Sequence, residues 1–78
     1  MPELTLYQSM YCPYCVKVMR FLKSQNIEVN SKDTMEDPGA REELISISGR
    51  TQVPCLVIDG EPLFESDDII QWFKDNWK

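Results

Sequence analysis

The chain has 78 residues with 42% apolar and 27% charged side chains, an ordinary globular composition that suits one small domain, 1–78. Its net charge of −5, without a basic cluster, argues against nucleic acid as a partner. No stretch approaches the about eighteen consecutive apolar residues of a membrane helix. An odd cysteine count and an N-terminus, Met-Pro-Glu-Leu, without a secretory signal lead us to expect a cytoplasmic monomer that binds no membrane.

The first half of the chain predicts a strand, a helix and a second strand. Alternating β-prone residues indicate a strand over 3–8, and apolar residues at helical spacing indicate a helix from Pro13 to about Gln25. Ile27–Asn30 has the pattern of a short second strand, so this part forms a βαβ unit with parallel strands. The apolar residues expected on the helix face are Val16, Met19, Phe21 and Leu22.

A second helix and a buried strand are predicted next. Asp37 suits the N-cap of this helix and Pro38 its first helical position, and Gly49 suits its end. The continuous apolar run Cys55–Ile58 is typical of a central strand.

The last quarter of the chain predicts a hairpin and a third helix. Asp59-Gly60 is a hairpin turn signal, residues 62–64 suit a returning edge strand, and Ser66 is expected to cap the last helix. The apolar residues expected on that helix are Ile69, Ile70, Trp72, Phe73 and Trp77. The order β-α-β-α-β-β-α predicts an α/β fold, a four-stranded mixed sheet with three helices.

Cys12-Pro13-Tyr14-Cys15, between the first strand and the first helix, is the most informative stretch. Cys12 falls where the free N–H groups and dipole of the helix stabilise a thiolate. Cys15 falls one turn later on the same face, within reach of a disulfide. The motif predicts reversible dithiol–disulfide chemistry with Cys12 and Cys15 as the catalytic residues.

Two other interpretations of the motif are weaker. Half of a zinc site would need two more ligands, but the chain has no His and only one further cysteine, Cys55, so no metal is expected. A purely structural disulfide over so short a loop would stabilise the fold little.

Three motifs in sequence order make the chain resemble a dithiol glutaredoxin over nearly all 78 residues. They are Cys12-Pro13-Tyr14-Cys15, the segment Gly-Arg-Thr-Gln-Val-Pro over 49–54, and Ser-Asp-Asp-Ile over 66–69. The resemblance implies a thioredoxin-like fold and reduction of protein disulfides and glutathione mixed disulfides. Glutathione would be the reducing co-substrate, with no bound cofactor. Cys12 would attack, and Cys15 would resolve protein-bound intermediates.

The resemblance also implies a glutathione groove beside the cysteines. Pro54 would follow a cis peptide bond, with the Val53 backbone pairing the cysteinyl part of glutathione. Tyr14 would line the groove. Gln52 either bonds the ligand backbone or only forms part of the loop, and Arg50 either reaches the glycine carboxylate or is solvated surface.

The start of the last helix is the other part of the implied glutathione site. Its N–H groups, beginning at Ser66, would bind the γ-glutamyl carboxylate, and Asp67 or Asp68 would pair with the ammonium group. The same three residues also suit a simple helix cap with acids at the positive end of the dipole.

The chain departs from the family pattern at three places. Ser9 stands where members often have Lys, so the helix N-terminus must supply much of the thiolate stabilisation. Phe64-Glu65 replaces the usual Gly-Gly, and Glu65-Ser66 instead resembles the glutamyl-binding pair of glutathione transferases. Cys55 is an extra thiol, best explained as a small buried strand residue.

Three other functions stay open at this point. A thioredoxin-like electron donor would be recharged by a reductase instead of glutathione. A glutathione transferase module would need an added helical domain, whereas the sequence ends at Lys78. A carrier that bridges an iron–sulfur cluster with glutathione is disfavoured by Pro13, which stiffens the loop.

Overall fold

Four strands and three helices follow one another in the order expected from the sequence. The structure is a computed structural model that describes residues 3–77, so Met1, Pro2 and Lys78, the ends of the predicted domain, lie outside the described residues. The elements are β1 Leu4–Gln8, α1 Pro13–Ser24, β2 Asn30–Asp33, α2 Ala40–Ser48, β3 Cys55–Ile58, β4 Glu61–Phe64 and α3 Ser66–Asn76. Their order confirms the predicted α/β fold.

The four strands form one mixed sheet in the order β2-β1-β3-β4. β1 runs parallel to β2 and antiparallel to β3, and β3 runs antiparallel to β4. The β3–β4 turn is Asp59-Gly60, and both residues have positive φ, 49° and 88°, as this tight hairpin requires. β1 and β3 are therefore central. β1 ends before the loop that carries Cys12, and β3 begins directly after Pro54, so the two loops lie at the same edge of the sheet.

The alternation of side chains along β1 and β3 divides the core into two layers. On one face, Leu6 and Leu56 pack against α1 and α3; that cluster contains Leu6, Val18, Leu22, Ile27, Leu56, Ile69 and Phe73. On the other face, β1 and β3 pack against α2; that cluster contains Tyr7, Ala40, Leu44, Cys55 and Val57. No helix within residues 3–77 is long and apolar enough to cross a bilayer.

The second strand lies later in the chain than the sequence pattern predicted. The predicted strand Ile27–Asn30 was wrong, because Ile27 belongs to the connection: its N–H bonds the Leu22 carbonyl at 2.9 Å, and its side chain enters the core. The strand that pairs with β1 is Asn30–Asp33. An edge strand packs few side chains, so its polar sequence shows no apolar alternation.

The second helix also begins later than predicted. Asp37 is not its N-cap: the Asp37 carboxylate accepts the Asp33 N–H at 2.7 Å and so closes the β2–α2 turn. The helix begins at Ala40 after Gly39, whose φ is 81°. The predicted end at Gly49 is confirmed, with a left-handed φ of 79°.

The buried face of α1 differs from the predicted one. Cys15, Val18 and Leu22, spaced by three and four residues, are the buried side chains. Val16 and Met19, which we had expected on that face, are each 37% exposed. The difference arises because Cys15 is both a thiol of the motif and a core residue, so the buried face of α1 begins one position earlier than Val16.

Candidate active site

Cys12 is the N-cap residue of α1. Its backbone is extended, with φ −102° and ψ 118°, and no side chain caps this helix end. The Cys12 N–H donates to the Ser9 carbonyl at 3.1 Å, and the Cys12 carbonyl accepts the first helical bond, from the Val16 N–H, at 3.1 Å. The thiol therefore stands at the positive end of the helix dipole, where a thiolate is stabilised.

The two thiols of the motif lie in different surroundings. Cys12 is partly exposed, whereas Cys15 is fully buried. Burial raises the pKa of Cys15 to about 12, and the neighbouring Cys12 thiol adds to this effect, while the Ser9 backbone opposes it. Cys15 is therefore protonated at neutral pH, and Cys12 is the thiol that solvent and ligands reach.

The loop before β3 lies directly beside Cys12. The Val53–Pro54 peptide bond is cis, which confirms the expectation for Pro54. Cys12 Sγ lies 3.8 Å from the Val53 carbonyl oxygen. A ligand sulfur bonded to Cys12 would consequently be held against the Val53 backbone.

A cavity of about 320 Å³ opens next to Cys12. Its wall includes a cationic side chain that the sequence did not predict for the site. Arg41, from the first turn of α2, lines it together with Cys12, Val53 and Thr51. Ser9, which replaces the family's Lys, is buried in the cavity wall. The absence of that Lys was a signal to look for another cation, but only the packing of α2 shows which one is near.

The start of α3 differs in detail from the predicted cap. Its N-cap is Glu65, and Ser66 is the first helical residue, buried and making no side-chain cap bond. Within residues 3–77, no side chain forms a cap hydrogen bond at the start of α3. Asp67 and Asp68 are exposed in the first turn, and Lys17 from α1 forms an ion pair with Asp67.

Arg50 and Gln52 belong to a small surface network with the residues that replace Gly-Gly. The Arg50 guanidinium lies 4.3 Å from the Phe64 ring centroid and donates to Gln52 Oε1 at 3.3 Å. Gln52 Nε2 donates to Glu65 Oε1 at 3.2 Å. Arg50 is therefore engaged away from the Cys12 cavity, and its contact with glutathione stays a prediction, as does that of Gln52.

Tyr14 and Cys55 are placed as the sequence suggested. Tyr14 is 64% exposed in the first turn of α1, where an incoming ligand can contact its ring. Cys55 is fully buried in β3, and burial raises its pKa. It is a core residue, not a second exposed thiol.

A thioredoxin-like fold with a Cys-x-x-Cys pair at the start of α1 defines the class of thiol–disulfide oxidoreductases. Residues 4–63 match the family model described as Glutaredoxin, so the chain belongs to the glutaredoxin family. It is 32% identical to Glutaredoxin 3 of Escherichia coli K12 over 69 residues, 88% of this chain and 83% of that protein. It is 37% identical to an uncharacterized glutaredoxin-like 8.6 kDa protein in the rubredoxin operon of Clostridium pasteurianum, over 73% of this chain and 76% of that protein.

Solved structures give the same fold. The thioredoxin-like protein BC3987 matches with a TM-score of 0.73 and 32% identity, over 88% of this chain and 97% of that one. A buckwheat glutaredoxin solved in complex with glutathione matches with a TM-score of 0.71 and 18% identity, over 95% of this chain and 70% of that one. At that lower identity the likeness concerns the fold alone.

Proposed function

We propose that this member of the glutaredoxin family reduces protein disulfides and glutathione mixed disulfides with glutathione as its co-substrate. The observation that carries the proposal is the contrast between an accessible Cys12 at a helix N-terminus and a buried, protonated Cys15. Cys12 is suited to attack a disulfide, and Cys15 is suited to resolve the mixed disulfide that forms on Cys12.

The reaction proceeds by two exchanges. The Cys12 thiolate attacks a sulfur of the substrate disulfide, the S–S bond breaks, and the leaving thiolate takes up a proton. With a protein bound to Cys12, Cys15 loses its proton and attacks Cys12 Sγ, which releases the substrate thiol and leaves a Cys12–Cys15 disulfide. Two glutathione thiols then reduce this disulfide and become oxidised glutathione. With glutathione bound to Cys12, a second glutathione thiolate attacks the glutathione sulfur, which frees the Cys12 thiolate and forms oxidised glutathione.

Groups on three sides of Cys12 suit a tripeptide with charged ends. The Val53 backbone lies beside the sulfur and can pair the cysteinyl residue, with Tyr14 on the exposed side. The uncapped α3 N-terminus at Ser66 suits the γ-glutamyl carboxylate, and Asp67 the ammonium group. Asp68 remains an alternative to Asp67.

For the glycine carboxylate we propose Arg41 in addition to the sequence candidate Arg50. Arg41 lines the cavity that contains Cys12, whereas Arg50 lies over the Phe64 ring. A glutathione thiol at Cys12 places its glycine end in or beside this cavity, where a guanidinium group binds a carboxylate in a bidentate manner.

We place the reaction in the cytoplasm, with one copy of the 1–78 domain as the working unit. Three free thiols in the described residues suit a reducing compartment.

The test compares two reductants on one substrate, the mixed disulfide of glutathione and 2-mercaptoethanol. With glutathione and glutathione reductase, NADPH consumption should depend on this protein and be lost in Cys12→Ser. With thioredoxin reductase in place of glutathione and its reductase, little turnover is expected. Equal or faster turnover with thioredoxin reductase would make the protein a thioredoxin-like electron donor.

A further inference from the structure

The exposed surface of α1 has two sides with different properties. Cys12, Val16, Met19 and Lys23 are spaced by four, three and four residues, so they form one stripe along the helix. Lys17 lies on another side, which faces α3 through its ion pair with Asp67. Cys12 is therefore at the end of a stripe that leads away from the proposed γ-glutamyl site.

A groove of about 390 Å³ runs beside this stripe. We call it the α1 groove; its lining residues are Gln8, Met10, Val16, Met19, Arg20 and Lys23. Met10 is 72% exposed and precedes Cys12 by two residues, while Val16 and Met19 are each 37% exposed. Exposed side chains of this size, grouped next to a reactive thiol, are typical of an interaction surface.

The charge of α1 contrasts with that of the whole protein. The helix carries three of the chain's eight cationic residues and no acidic residue, although the net charge of the chain is −5. Two of these cations, Arg20 and Lys23, line the α1 groove. The groove thus combines apolar walls with a basic rim in an otherwise acidic molecule, which complements an apolar segment that carries acidic residues.

We propose that the α1 groove docks the protein substrate: a segment with an apolar side chain followed by acidic residues, next to the target disulfide. The proposal rests on the proposed function, because the disulfide must reach Cys12. From Cys12 to Lys23 the helix rises roughly 16 Å, the length of about five extended residues. The apolar side chain enters between Met10, Val16 and Met19, and the acids lie three to five residues from the target cysteine. The docked segment then lies on the side of Cys12 that leads away from the proposed γ-glutamyl site at the start of α3.

A basic, apolar helix surface also suits an anionic membrane. A protein segment is favoured here because the groove continues to a thiol whose substrates are disulfides, and because the net charge of −5 repels an anionic bilayer.

The test uses two glutathionylated cysteine peptides of equal length. Both carry leucine near the cysteine on each side; one has glutamates beyond the leucines and the other has lysines. For the natural protein, kcat/KM should be about fivefold to twentyfold higher with the glutamate peptide. Lys23→Glu should lower that preference at least about twofold, and Arg20→Glu combined with Lys23→Glu should remove or invert it. Met19→Ser should lower kcat/KM for both peptides.

Lys74→Glu is the matched control, since Lys74 is a cation on α3 outside the α1 groove. It should leave the preference for glutamate unchanged, and all these variants should turn over the small mixed disulfide of glutathione and 2-mercaptoethanol at the natural rate. Failure of the natural protein on that small substrate would overturn the proposed function itself. Turnover of the small substrate without a glutamate preference would overturn the docking site alone. The docking site would also be overturned if Lys74→Glu lowered the preference for the glutamate peptide as much as Lys23→Glu does. Binding of the natural protein to phosphatidylglycerol vesicles, abolished by Lys23→Glu, would likewise overturn it in favour of a membrane.

Discussion

Cys12 and Cys15 differ in exposure because α1, the helix that contains them, is half buried. Position 12 is the N-cap and meets solvent, while position 15, one turn on, is in the core with Val18 and Leu22. The same apolar packing that holds α1 on the sheet keeps the second thiol protonated. The orientation of α1 therefore accounts for the roles that we propose for the two thiols, attack by the exposed Cys12 and resolution by the buried Cys15, although position 9 is an uncharged serine.

Asp67 is the residue whose role is most open to a direct test. Asp67→Ala should raise the KM for glutathione about two- to fivefold, the range for an exposed ionic contact, and change kcat little. Asp75→Ala, at the other end of α3, is the control and should leave KM unchanged. Steady-state kinetics at two salt concentrations check this, since the Asp67 contribution should shrink with salt. If Asp67→Ala instead lowered both kcat and the thermal stability of the protein, Asp67 would only stabilise the start of α3.

At the scale of elements, the N-cap of α3 is Glu65, a residue other than glycine with a positive φ. Glu65 has φ 74° and ψ 124°, a region that favours glycine, and it stands where the family has the second residue of Gly-Gly. Its side chain accepts a hydrogen bond from Gln52. The positive φ costs free energy in any residue with a Cβ. The same residue forms the hydrogen bond to Gln52, which in turn bonds Arg50.

Two substitutions separate the backbone cost from the side-chain bond. Glu65→Ala and Glu65→Gly both remove the bond to Gln52, but only glycine relieves the positive φ. After the greater entropy of glycine in the unfolded chain is subtracted, Glu65→Gly should be more stable than Glu65→Ala by roughly 0.5–1 kcal/mol. Urea unfolding of both variants measures the difference. Equal stability of the two variants would mean that the positive φ costs no more free energy than the greater entropy of glycine in the unfolded chain.

At the scale of the whole molecule, the sequence predicted most of the fold because its strongest signals are local. The hairpin turn, the apolar run of β3 and the end of α2 each depend on a few adjacent residues. β2 was misplaced because an edge strand depends on its partner β1. The thiols could be predicted from their spacing, but Arg41 and the exposure of Met19 depend on how α2 and α1 pack. No local pattern contains that information.

Stability at alkaline pH should report the burial of Cys15. Its pKa in the folded protein is raised to about 12, so the unfolded chain loses this proton first. The stability due to neutral Cys15 is complete below the unfolded pKa of about 8.5–9 and is lost as pH rises towards 12. Between pH 9 and 11 the free energy of unfolding should fall more steeply in the natural protein than in Cys15→Ala, by up to about 1.4 kcal/mol per pH unit.

Denaturant unfolding under reducing conditions measures both slopes. Cys55, whose pKa is also raised by burial, contributes equally to the two proteins and cancels in the comparison. Parallel pH profiles would mean that Cys15 ionises in the folded state as it does in the unfolded chain.

The most direct test of the account is to trap the intermediate on Cys12. Cys15→Ser, incubated without free glutathione with the mixed disulfide of glutathione and 2-mercaptoethanol, should accumulate one glutathionyl group per chain, because neither Cys15 nor a second glutathione can then release it. Proteolysis and mass spectrometry should locate that group on Cys12 and leave Cys55 free, and Cys12→Ser should acquire none. A glutathionyl group on Cys55, or full turnover by Cys12→Ser, would contradict the assignment of Cys12 as the nucleophile.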